Sequence, residues 1–167
     1  MDAQKELIAE FDRESSKTRR MLDAIPEGAD FSFKPHPKSM SLGHLAGHLT
    51  DFAGDWGLHT LTKDKVEFGG DQKFEPYIPS SKAALLEKFD NALKGTREAL
   101  VNTTGDAWDR NWKFVYAGTA YIDQPKHQVF REAVLDHMIH HRGQLSVYLR
   151  LLGAKVPGVY GPSADEM

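Results

Sequence analysis

The stretch Val129-Phe130-Arg131-Glu132-Ala133-Val134-Leu135-Asp136-His137-Met138-Ile139-His140-His141-Arg142-Gly143-Gln144-Leu145-Ser146-Val147-Tyr148-Leu149-Arg150-Leu151-Leu152 decides the fold. Its apolar residues recur at helical spacing, Pro125 suits the first turn, and Gly153 with Pro157 beyond it marks the end. With His137 set at zero on a helical wheel, Phe130 and Tyr148 fall near ~20°, Val134 and Leu152 near ~60°, and Leu145 near ~80°. His141 falls near ~40°, in the middle of that apolar face, and His140 near ~-60°, outside it. Two imidazoles one turn apart therefore point into the core.

Outward from this helix, three more segments read as helices. The first spans about Asp2 to Ala24, with Asp2 as N-cap, Leu7, Phe11, Met21, Leu22 and Ile25 inward, and Pro26 and Gly28 as its stop. The second opens near Ser39 or Ser41 and runs to about Leu61, with Leu42, Leu45, Leu49, Phe52 and Trp56 on its apolar face. Its glycines, Gly43, Gly47, Gly54 and Gly57, indicate close packing against a neighbour or room for a ligand. The third runs from Ser80 or Ser81 to about Val101, and residues 62–79 before it read as an irregular loop. Between the third and fourth helices, Trp112 to Ile122 is aromatic and β-branched around a glycine, which suits a small hairpin or an extended strap. The expected architecture is an all-α four-helix bundle, one domain over residues 1–167, with this short β-like insert.

Composition excludes several function classes. The 167 residues contain no cysteine, so thiolate zinc sites, disulfides and a cysteine nucleophile are ruled out. A net charge of -3 gives no electrostatic case for a nucleic-acid partner. No apolar run approaches the ~20 residues of a membrane span, and the N-terminal residues lack the order of a signal peptide, so a cytoplasmic protein is expected.

The eight histidines carry the functional argument. Helical H-x-x-x-H pairs stack two imidazoles on one face and can chelate one metal ion. A pair of core histidines satisfied by Gln, Tyr or backbone groups is the alternative. His44 and His48 form a second such pair, and His48 sits at the edge of the second helix's apolar face. Adding His48 to His137 and His141 gives three nitrogens, the ligand number of an open zinc site. His36, His59 and His127 read as surface or loop residues, and Asp51 and Asp55 as solvated charge on the outer face or as carboxylates that orient a ligand imidazole. Arg142 points away from the pair, toward a surface or ion-pair role. Gln144 reads equally as a partner of a ligand histidine and as an ordinary polar position.

The strings Met40-Ser41-Leu42-Gly43-His44-Leu45-Ala46-Gly47-His48-Leu49 and His137 to Arg150 resemble the second- and fourth-helix motifs of the DinB/YfiT-like superfamily. Leu151-Leu152-Gly153, Pro157 and Tyr160-Gly161-Pro162 are similar to its ending. The resemblance implies a four-helix bundle with a long non-sequential connection, and a divalent transition metal held by His48, His137 and His141. It implies zinc or nickel first, with iron or manganese also admitted by the ligand type. His44 departs from the pattern of many members, which leaves a fourth ligand or an outer role open. Characterised relatives include thiol S-transferases and a mycothiol-dependent isomerase, so the resemblance implies a metal-dependent transferase or hydrolase. The substrate would be a small molecule, including a low-molecular-weight thiol, and the assembly a homodimer, with no nucleic acid or membrane partner. A non-catalytic metal-binding or stress-response protein is the alternative.

Overall fold

The computed structural model of the chain describes residues 3–70 and 75–167. Helix α1 is Ala3–Asp23, so the expected cap at Asp2 lies outside the described residues. Leu7, Phe11, Met21, Leu22 and Ile25 are all buried, as their spacing predicts. Helix α2 covers 42–62 as Leu42–Asp51, a π-helical turn at Phe52–Trp56, and Gly57–Thr62. Ser41 caps it, accepting a hydrogen bond from the His44 backbone N–H at 3.1 Å. Helix α3 is Lys82–Asn102, capped by Ser81 through the Ala84 N–H. Helix α4 covers 126–151 as Lys126–Val129, π-helical Phe130–Asp136, and His137–Leu151. Gly153 follows at φ 70°, the left-handed conformation that glycine adopts freely at a helix end.

The chain is mostly helical but not all-α. Strands β1 (Lys65–Phe68), β2 (Asn111–Tyr116) and β3 (Thr119–Pro125) form a sheet in that order. The insert between α3 and α4 is the expected hairpin, closed by Ala117 and Gly118, both at positive φ. The correction concerns β1, which lies in the segment read as an irregular loop. It pairs with β2 in parallel, with Val66 opposite Phe114. Parallel pairing across so many residues leaves no local turn signal, and four residues give too little alternation to stand out.

The core joins α1, α2, α3 and α4, while Val66, Trp112 and Val129 form a smaller cluster under the sheet. Two polar contacts fix α4. At its start, buried Lys126 donates to the carbonyls of Lys63 (2.6 Å) and Leu61 (3.3 Å) and pairs with Asp64 at 2.9 Å. It thereby satisfies carbonyls at the C-terminal end of α2 that the helix leaves open. In its middle, buried Arg142 pairs with Glu14 of α1 at 2.6 Å and donates to the Glu14 carbonyl and the Thr18 hydroxyl. Arg142 is thus an ion-pair residue rather than a surface one, and it is internal. Tyr160 from the tail also donates to Glu14 at 2.6 Å.

The glycines of α2 serve close packing. A Cβ at Gly47 would overlap the carbonyl of Tyr77, and Cβ atoms at Gly54 and Gly57 would crowd Ala92 and Thr96. Gly47→Ala should therefore cost about 1–3 kcal/mol, the usual range for overpacking, in urea denaturation. A cost under about 0.5 kcal/mol, the range of neutral surface changes, would show the contact to be soft.

Glu14 predicts the acid limb of stability. Burial opposes its charge, but hydrogen bonds from Tyr160, Arg142 and Lys17, with the Arg142 charge, outweigh burial and lower its pKa from 4.5 to about 2. A carboxylate with a depressed folded pKa stabilises the fold above its unfolded value and loses that contribution as pH falls toward the folded one. Stability should drop between about pH 4.5 and 2, and Glu14→Gln should flatten that limb. An unchanged acid limb in the variant would contradict this assignment.

Candidate metal centre

His48 comes from α2, just before its π-helical turn, and His137 comes from α4, just after the π-helical segment there. Each π turn takes an extra residue into the helix and shifts the phase of the residues beyond it. His141 stands one turn beyond His137 and is buried. The three rings converge through their Nε2 atoms. His48 Nε2 is 3.1 Å from His137 Nε2, which is 2.8 Å from His141 Nε2. Ligand atoms of all three lie within 4.8 Å of one another.

The surroundings hold these rings neutral. Burial, then the neighbouring histidines, lowers the pKa of His48 to about 3 and that of His137 to about 4. His141 is also lowered, chiefly by burial, with an opposing contribution from its hydrogen bond to Gln144. Phe52 of the α2 π turn stacks on the His137 ring, with centroids 3.8 Å apart and planes 14° from parallel. Trp56 stacks on Phe52 at 5.3 Å, and Phe114 of β2 meets Trp56 edge-on at 5.2 Å. An apolar wall of rings therefore runs from the hairpin to the centre. On the other side, His141 Nδ1 lies 2.8 Å from Gln144 Oε1, and Gln144 Nε2 lies 3.1 Å from His140 Nε2.

The donor set fits a divalent transition ion. Tetrahedral coordination at ~2.0–2.1 Å places nitrogens ~3.3 Å apart, so the His48–His137 and His137–His141 pairs need to open by only a few tenths of an ångström. Uncharged imidazoles are the form that ligates. The buried Nδ1 of His48 has no hydrogen-bond partner, and ligation through Nε2 would leave that atom as it is.

The structure brings together the three histidines that the sequence singles out. His44 stays outside them, its ring 6.2 Å from that of His48. His140 and His127 are exposed, as is His36, while His59 is half-buried with its pKa lowered, first by burial. Asp55 is exposed, as its sequence position suggests, but Asp51 is not solvated charge. It is buried, accepts from the Tyr77 N–H at 3.1 Å, and has its pKa raised by burial. Asp51 anchors the segment between β1 and α3 rather than a ligand histidine. Sequence reasoning missed Phe52 as the ring beneath His137, since an apolar-face phenylalanine reads as ordinary core.

A helical bundle with a three-imidazole centre between its second and fourth helices defines the class of this protein. It belongs to the DinB family, whose profile matches residues 1–167. The chain is 48% identical over 162 residues to the uncharacterized protein YrdA of Bacillus subtilis (strain 168), covering 95% of this chain and 89% of that protein. Among solved structures, a DinB-like protein from Bacillus cereus ATCC 10987 superposes with a TM-score of 0.69 at 25% identity, covering 92% of this chain and 95% of that one. The DinB-like protein YjoA of Bacillus subtilis gives 0.67 at 20% identity, over 92% and 96%. That second likeness speaks for the fold alone. Among the described residues, no helix is long and apolar enough to cross a membrane.

The depressed pKa values make a direct prediction for the metal-free protein. At pH 5 the rings of His48 and His137 should remain neutral, because their values lie near 3 and 4. Side-chain nitrogen NMR checks this. Imidazolium signals at either position at pH 5 would contradict the burial that the site requires.

Proposed function

We propose that this protein holds one divalent transition-metal ion on His48, His137 and His141, and that the centre serves an enzyme acting on a small electrophilic molecule. The observation that carries the reading is the convergence of three neutral imidazole nitrogens inside the bundle. When bound, the ion supplies Lewis acidity that lets a water or a thiol ionise near neutral pH. Three uncharged ligands leave the positive charge of the centre uncompensated, which favours an anionic nucleophile. Phe52 and Trp56 exclude water from one side, and the stack on His137 fixes its ring plane. The chain has no thiol of its own, so a sulfur nucleophile would come from a substrate. The reaction class is therefore thiol S-transfer or hydrolysis, on zinc or nickel before iron or manganese.

Elemental analysis after supplementation with zinc or nickel should give about one ion per chain, three imidazoles forming one site. His137→Ala and His141→Ala should lose it while keeping the parent's helix content by circular dichroism. Equal loading in those variants and the parent would refute the site. Turnover of thiols with electrophilic acceptors, and of esters, should require the ion. Full loading with no turnover across both panels would leave a non-catalytic metal protein.

A further inference from the structure

His140 is the one histidine of the fourth-helix string that the centre does not use. It projects outward, yet its ring nitrogen is 3.1 Å from the Gln144 amide nitrogen. An imidazole nitrogen facing an NH₂ group accepts from it, so the amide bridges the two histidines with its nitrogen toward His140. With Nε2 of Gln144 directed to His140, Oε1 is directed to His141 Nδ1 at 2.8 Å. A carbonyl oxygen only accepts, so Nδ1 of His141 must carry the hydrogen. The Nε2 of His141 is then a lone pair aimed at the other two nitrogens, the form a metal ligand needs.

We propose that Gln144 and His140 are positioning residues that lock His141 in its Nδ1–H tautomer and so prepare it to bind the ion. This deepens the metal reading above and rests on it for its functional meaning. The other two rings are held differently, His137 by the Phe52 stack and His48 with its Nδ1 unpartnered. His141 is thus the ligand whose hydrogen is placed by a dedicated partner. Without His140 the amide can turn over. Its NH₂ would then face His141 Nδ1, and the hydrogen would move to Nε2, pointing into the centre and blocking ligation. Orienting partners of this kind typically account for about 10–100-fold in metal affinity.

Two readouts test the proposal, and one of them needs no metal. In the metal-free protein, side-chain nitrogen NMR should show His141 as a single Nδ1–H tautomer. His140→Ala should give two tautomer populations. The double variant His140→Ala with Gln144→Glu should restore one, because a carboxylate has no donor end to turn inward. For affinity, zinc competition against a chelator should show Gln144→Leu weakened about 10–100-fold, and Gln144→Glu close to the parent. The apo melting temperature of Gln144→Leu should stay near that of the parent, separating positioning from folding. An Nε2–H tautomer in the parent, or unchanged tautomer and affinity in Gln144→Leu, would overturn the proposal. A parent that shows the tautomer but binds no metal would refute the metal reading and leave the tautomer lock standing.

Discussion

Three imidazole rings whose nitrogens converge on His137 Nε2, at 3.1 and 2.8 Å, inside a helical bundle are the constraint on which the rest of this structure depends. Burial and the neighbouring histidines disfavour imidazolium forms there, which keeps the rings neutral near neutral pH. Neutral rings that meet through Nε2 can turn their lone pairs to one point, the form that ligates a metal. A cation at the meeting point would bind those lone pairs, and the surrounding contacts keep the meeting point in place. Lys126 ties the start of α4 to the end of α2, the two helices that carry the ligands. Arg142 ties the middle of α4 to α1 one residue past His141.

The π-helical turns give the site its geometry. In α2 the turn begins at Phe52, one helical turn past His48, and sets Phe52 under the ring of His137. In α4 the segment ends at Asp136, immediately before His137. In α2 the Gly54 carbonyl of the π-helical turn also accepts from the Thr96 hydroxyl of α3 at 3.2 Å. Close approach of α2 and α3 at Gly54 and Ala92 makes that bond reachable. Local helix irregularity and the packing of a third helix are therefore one feature, paired with the ligand positions.

Much of this was legible in the sequence because it rests on local rules. Ser41 and Ser81 cap the helices that begin beside them, and Gly153 ends α4. The wheel that put His141 inward and His140 outward agrees with their burial, although a π segment precedes both. The wheel worked because that segment lies before His137, leaving the helix from His137 to Leu151 regular. What was illegible depends on partners distant in sequence. β1 is defined by pairing with the far-off β2, Asp51 by the Tyr77 N–H, and the internal position of Arg142 by Glu14. None of these leaves a local pattern. Gln144 stood undecided between two roles because spacing shows that it can reach His141, not which end of its amide does so.

The central claim is that the converging nitrogens are ligands, and a crystal grown with zinc and measured across the zinc absorption edge tests it most directly. The account predicts one anomalous peak per chain, ~2.0–2.1 Å from the Nε2 atoms of His48, His137 and His141, with another position open. A peak placed on other residues, or no peak at the meeting point of these three rings in zinc-saturated crystals, would contradict it.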